Sequence, residues 1–158
     1  MKYQFLLKRF DLDIDVVKKK LNSISAGSFK QDLLTKRLIF EGNLDLNKAY
    51  KLNEIDLILI EEKPKTPLKF EDLRTDLLKI SKKFTSLTIK IKLLSSIKLA
   101  TTSLENKLSN FLIKNSINIK ESSENTILIE LFKEKGQVFY RIFSYKTKNT
   151  IIKSKFNN

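Results

Sequence analysis

The chain has neither cysteine nor histidine in its 158 residues. Disulfides, thiolate or imidazole zinc sites, a cysteine nucleophile and a Ser-His-Asp triad are therefore excluded. Glycine occurs three times, at Gly27, Gly42 and Gly136, so neither a G-x-G-x-x-G dinucleotide loop nor a P-loop can be written anywhere. No metal or nucleotide cofactor is expected. The longest apolar runs, such as Ile55 to Ile60 with Asp56 inside it, are far shorter than a membrane span, and the N-terminus has no signal-peptide core. A soluble, cytoplasmic protein is the expectation. Without cysteine, the sequence is silent on redox compartment.

What the chain does have is positive charge. Lys and Arg number 31 against 18 Asp and Glu, a net charge of +13, and an excess of that size calls for a polyanionic partner, nucleic acid or an anionic membrane surface. The excess is uneven. Residues 1–61 carry 11 basic against 9 acidic side chains, net +2, whereas residues 62–158 carry 20 against 9, net +11. Codon bias toward lysine would act on both parts alike. A membrane partner would require an amphipathic basic helix or a lipidation site, and neither is evident. Hydrophobic residues make up 41% of the chain, sufficient for a packed core.

Periodicity divides the chain into elements. Tyr3 to Arg9 reads as a strand, followed by a helix that Asp11 or Asp13 caps and that carries Val17, Leu21 and Ile24 at helical spacing. Ala26, Gly27 and Ser28 read as a turn, Arg37 to Glu41 as a second strand, Asp45 as the cap of a short helix through Ala49 and Leu52, and Ile55, Leu57 and Leu59 as a third strand. Residues 1–61 thus read as β-α-β-α-β. Glu62 to Thr66, a charged stretch with Pro64 and Pro67 as the chain's two prolines, reads as a linker, with Pro67 in the first turn of the next helix. That helix shows Phe70, Leu73, Leu77, Ile80 and Phe84 on one face.

Beyond it, Leu87, Ile89, Ile91 and Leu93 alternate with Thr88, Lys90 and Lys92, a strand with one core face and one cationic face. Thr102-x-x-Glu105 reads as a capping box opening a helix with Leu104, Leu108, Phe111 and Leu112 inward, ended by Asn115 in a left-handed turn. Thr126 to Phe132 and Val138 to Ser144 read as strands of a hairpin, with Gly136 where positive φ is needed. The last dozen residues, 147–158, read as a basic tail. Lys146, Lys148, Lys153 and Lys155 have no acid among them.

Residues 62–146 resemble the THUMP domain, an RNA-binding module of tRNA-modification systems. The resemblance lies in the helix Lys69-Phe-Glu-Asp-Leu-Arg-Thr-Asp-Leu-Leu-Lys-Ile, the alternating apolar and basic strand Leu87-Thr-Ile-Lys-Ile-Lys, the loop and helix Ser95-Ser-Ile-Lys-Leu-Ala-Thr-Thr-Ser-Leu-Glu, and two closing strands. Leu108-Ser-Asn and Glu124-Asn-Thr stand where the family commonly has a glycine and a Pro-Asp pair. Members often carry a small ferredoxin-like unit before the module, and residues 1–61 look like one. The implied fold class is α+β, a ferredoxin-like unit followed by a THUMP-like module. The implied partners are tRNA, engaged at its acceptor end, and a separate tRNA-modifying enzyme. With about a dozen residues after the last strand, no catalytic domain is expected in this chain. A free-standing module resembles the adaptor of a cytidine acetyltransferase.

For RNA contacts, Lys90 and Lys92 share a strand face by alternation and match basic strand positions of the family. Lys98, Thr101 and Thr102 in the following loop add a cation and hydroxyl donors. Lys107 and Lys114, seven apart on one helix, form either a solvated stripe or a second phosphate track, and Lys146 extends the basic end. Arg141 is poised equally between clamping a phosphate and pairing with a structural carboxylate. Phe139 and Phe143 share its face, as core or as stacking platforms. The acidic clusters Asp11, Asp13 and Asp15, Glu61 and Glu62, and Glu71 and Asp72 sit at helix starts, turns or the linker, where acids cap or oppose the helix dipole. No catalytic residue is assigned. Three rival readings are a ribonucleoprotein subunit, as in an RNase P-type particle, a module that docks an acidic protein, and, last in rank, an enzyme acting through Lys or carboxylates alone.

Overall fold

The computed structural model describes residues 1–147. The basic tail after Thr147, with Lys148, Lys153 and Lys155, lies outside the described residues. Described are seven strands and four helices, which fall into two compact units: Met1–Glu61 together with the segment beginning at Lys146, and Glu62–Tyr145.

The first unit comprises β1 (Lys2–Leu7), α1 (Phe10–Ile24), β2 (Gly27–Gln31), β3 (Leu38–Gly42), α2 (Leu46–Tyr50) and the first half of β4 (Ile55–Pro67). Gly27 and Ser28 are therefore not a turn. They open a strand that pairs antiparallel with β3, Gly27 opposite Gly42 and Phe29 opposite Phe40. Polarity hid it, because β2 lies at the end of the strand order and three of its side chains besides Gly27 are exposed. The order β2-β3-β1-β4, antiparallel throughout, turns the expected β-α-β-α-β into β-α-β-β-α-β, the ferredoxin-like connection. Tyr3 and Phe5 on one face of β1 pack with Val17 and Leu21 of α1, Ala49 of α2, and Phe40, Ile55 and Ile58.

Capping follows the sequence at α2, where the Asp45 side chain accepts the Lys48 amide at 3.2 Å. At α1 it does not. The N-cap is Arg9, and Asp13 reaches back from within the helix to accept the Arg9 amide at 3.0 Å. Asp11 stays in the first turn, where a carboxylate opposes the positive end of the helix dipole.

Glu62 to Thr66 is the second half of β4, not a linker, and Pro67 ends that strand rather than entering a helix. The β1 register stops at Ile60, so Pro64 withdraws no amide from that ladder. The second unit continues with α3 (Phe70–Ser81), β5 (Thr88–Leu93), α4 (Thr101–Lys114), β6 (Asn125–Glu134) and β7 (Gln137–Lys146), in the strand order β4-β7-β6-β5. β5 runs parallel to β6, Lys90 opposite Leu128 and Lys92 opposite Glu130. α4 is the crossover that a parallel pair requires.

Leu73, Leu77 and Ile80 of α3 and Leu104, Leu108 and Leu112 of α4 bury their apolar faces against Ile89, Ile127, Ile129, Tyr140 and Ile142. The β6–β7 turn has Lys135 at φ 50° and Gly136 at φ 77°, the pair of positive values a two-residue type I′ hairpin needs. After α4 the left-handed residue is Ser116, φ 68°, while Asn115 stays at φ −100°. Asn115 instead bonds its side chain to the Phe111 carbonyl at 2.8 Å.

Candidate nucleic-acid interface

The second unit's sheet has one helix-covered face. Ile89, Ile91 and Leu93 of β5 and Ile127, Ile129 and Leu131 of β6 belong to or pack on that core. By strand alternation the residues between them lie on the opposite face: Lys90, Lys92, Leu128, Glu130 and Phe132, with Phe139, Arg141 and Phe143 from β7. Lys90 and Lys92 are exposed there.

The helix that follows is bonded to the free edge of β5, and the loop between them to β6. The Glu105 carboxylate accepts the Ile91 amide at 2.9 Å. Thr102 makes no cap bond, and the N-cap is Ala100, so the Thr102-x-x-Glu105 box does not close on itself. Its acid bonds to a strand. Leu94 donates to the Leu131 carbonyl at 2.8 Å just after β5. The loop bearing Lys98 is thus anchored at its start by β6 and, past its end, through Glu105 by β5. Lys98 is exposed on the loop, whereas Thr101 and Thr102, read from the sequence as loop residues, open α4 instead, Thr102 exposed and Thr101 half-buried.

α4 separates the remaining candidates. At 100° per residue, Thr102 and Glu105 lie on one flank of the buried stripe and Lys107 and Lys114 on the other. Lys107 lines a groove of about 520 Å³ between α3 and α4. Leu99, Leu104 and Leu108 are apolar lining, Phe70 and Phe111 add rings, and Arg74 is the second cation. The Arg74 guanidinium lies 5.8 Å from the Phe111 ring centre. Arg74 is not among the cations the sequence singles out, because α3 also carries Glu71, Asp72 and Asp76, which mask it in the helix's charge. The signal was its position four residues after Phe70, one turn along the same side.

Arg141 does not join the exposed cations. Its side chain is buried, and its Nε donates to Glu130 Oε1 at 2.8 Å. Its guanidinium carbon stands 5.8 Å from the Phe132 ring and 5.2 Å from that of Phe143. Of the two roles open to it, the structure shows the carboxylate pair. Phe143 and Phe132 are buried, and Phe139 stacks on Phe132 at 5.9 Å with Lys65 Nζ 4.7 Å above its ring. Lys146 ends β7 exposed and belongs to the first unit, where its carbonyl accepts the Tyr50 hydroxyl at 3.4 Å.

Three other lysines of the second unit pair with acids. Lys63 pairs with Asp76, Lys65 with Glu134 and Lys83 with Glu62. Among the described residues, Lys90, Lys92, Lys98, Lys107, Lys114 and Arg74 have no ion pair, so their charge is available to an anion. Glu71 and Asp72 occupy the first turn of α3, as expected of acids opposing the helix dipole. No described helix is long and apolar enough to cross a membrane.

No family model matches the sequence, and no curated protein matches it. Solved structures do match in shape. TrmN from Thermus thermophilus superposes with a TM-score of 0.60 at 10% identity over 90% of this chain and 44% of its own. PH1313 from Pyrococcus horikoshii Ot3 gives 0.54 at 9% identity, over 92% of this chain and 55% of its own. The fold is THUMP-like. A 4-thiouridine synthetase in complex with RNA and bound ATP gives 0.51 at 12% identity, over 92% of this chain and 42% of its own. The chain spans about half the length of these structures or less, and identities this low establish the fold alone. Within the THUMP-like module, the cationic β5 face, the Lys98 loop and the α3–α4 groove are three separate features of one unit.

Proposed function

We propose that the protein is a tRNA-binding module that takes no part in chemistry and presents tRNA to a separate modification enzyme. The observation that carries this is a cluster of exposed cations free of ion pairs on one strand and the loop that follows it, Lys90 and Lys92 on β5 and Lys98 beyond its end, held by the Glu105–Ile91 bond. Support also comes from the company of the fold, which includes a synthetase in complex with RNA. Each neutralised phosphate releases condensed counterion, so binding through such a group weakens with added salt by about 0.7 to 0.9 log units per contact per log unit of salt. Lys98 with Thr101 and Thr102 supplies a cation and hydroxyl donors for backbone oxygens. A cytidine acetyltransferase is the partner enzyme that the sequence resemblance implies, with the tRNA acceptor end as the part engaged.

A mobility-shift titration of the full chain with unfractionated tRNA tests the reading. Replacing Lys90, Lys92 and Lys98 together by Glu is expected to weaken binding by at least tenfold and to flatten its salt dependence. Unchanged affinity would eliminate this face. Tighter binding to a large structured RNA than to tRNA would favour the ribonucleoprotein reading instead.

A further inference from the structure

The α3–α4 groove has a composition unlike that of the β5 face. Six of its nine lining residues are apolar, and Ser103 offers its single hydroxyl. Phe70 at the start of α3 is 45% exposed, a ring held at the groove without being enclosed by the core. Arg74 and Lys107 line the same groove with no carboxylate among the lining residues and no ion pair among the described residues.

A nucleobase and an aliphatic side chain make different demands on such a site. A base buried here would leave its edge donors and acceptors with one hydroxyl and two cations to satisfy them, and unsatisfied polar groups are costly to bury. A leucine or phenylalanine needs no partner. The cations then suit carboxylates flanking that side chain. The volume, about 520 Å³, accommodates several side chains, the scale on which an amphipathic helix anchors in a groove.

We infer that the groove docks an amphipathic helix of a protein partner, with leucine or phenylalanine anchors spaced one turn apart and Asp or Glu beside them to meet Arg74 and Lys107. If the tRNA-presenting reading holds, that partner is the modification enzyme. The docking claim itself rests on the groove and uses none of Lys90, Lys92 or Lys98.

The probe is a fluorescein-labelled, 18-residue helical peptide with Leu at positions i, i+4, i+7 and i+11 and Glu on its flanks, titrated into the full chain by anisotropy. Amide shifts are followed in parallel by NMR. Binding is expected, with shifts centred on residues 99–111 and around Phe70. Replacing the peptide's leucines by Asn, or its Glu by Lys, is expected to weaken binding at least tenfold, as is Phe70→Ala or Arg74→Glu in the protein. Phe70→Ala, which changes no charge, should bind tRNA as before. No binding of the Leu/Glu peptide, or equal binding of the Lys form, overturns the inference. So do groove shifts produced by the trinucleotide rCrCrA with none from the peptide, which would make the groove a base pocket. Loss of tRNA binding in the Lys90, Lys92, Lys98 triple variant with peptide binding intact would separate the two claims.

Discussion

The carboxylate of Glu105 accepts the backbone N–H of Ile91 at 2.9 Å, bonding the second turn of α4 to the free edge of β5. A strand at the end of a sheet presents unpaired amides, and one of those on β5 is satisfied by a side chain from the helix that follows it. Just before β5, the Leu87 amide donates to the Asn118 carbonyl and the Leu87 carbonyl accepts the Lys120 amide.

Glu105→Ala is expected to lower stability by about 1.5 to 3 kcal/mol, the range for a hydrogen bond to a charged group. Thr102→Ala should stay within about 0.5 kcal/mol, because Thr102 caps nothing. A working capping box would cost about 1 kcal/mol at that threonine. Urea unfolding of the two variants measures both.

Gly27→Ala is expected to destabilise the first unit by about 1 to 3 kcal/mol through overpacking. An added Cβ would stand 2.6 Å from the Glu41 carbonyl oxygen and closer still to the Phe40 ring, which is fully buried and has no room to retreat. Gly136→Ala meets no atom within 4 Å but sits at φ +77°, so its cost is conformational, about 1 kcal/mol. Thermal unfolding ranks the pair, and a milder effect at Gly27 than at Gly136 would contradict the packing.

Arg141→Ala is expected to cost about 3 to 5 kcal/mol, because it strips a partner from the buried Glu130 carboxylate. Lys92→Ala, on the same sheet face but exposed, should leave stability within about 0.5 kcal/mol. Denaturant midpoints of the two variants distinguish a structural cation from an available one.

Tyr50 is buried in the first unit, and burial pushes its hydroxyl up from 10 to about 12. The folded state therefore holds a proton that the unfolded chain releases earlier. Stability from this group is complete below pH 10 and is lost as pH climbs toward 12, an effect of order 2 kcal/mol. Tyr140, desolvated and donating to Asp76 at 2.5 Å, is shifted in the same direction. Tyr50→Phe should make the decline between pH 10 and 12 shallower, as followed by chemical unfolding at fixed salt.

Much of the second unit was legible before any coordinates. The spacing of Leu73, Leu77 and Ile80, the alternation of Ile89, Ile91 and Leu93 with Lys90 and Lys92, and the Lys135-Gly136 turn are local patterns, and local patterns determine which side of an element is apolar. The lapses lie where local signals are ambiguous. Gly27 to Gln31 is polar because it borders solvent, so it carries no buried alternation to read. Glu62 to Pro67 looks like a linker because charge and proline are common in linkers, yet an extended strand half beyond the β1 register tolerates both.

Binding residues divided along the same line. That Lys90 and Lys92 share one exposed face follows from their spacing by two. That Arg141, with the same alternation on β7, is buried against Glu130 depends on β6 lying beside it. The parting of Thr102 from Lys107 onto opposite flanks of α4 becomes consequential only once α3 packs along one of them. The amino-acid order by itself determined the cationic bias of residues 62–158 and the inward stripe of each main helix, because both depend on composition and spacing along one element. Only the tertiary structure decided which polar groups found partners, since a hydrogen-bond or ion-pair partner is supplied by a different element brought alongside.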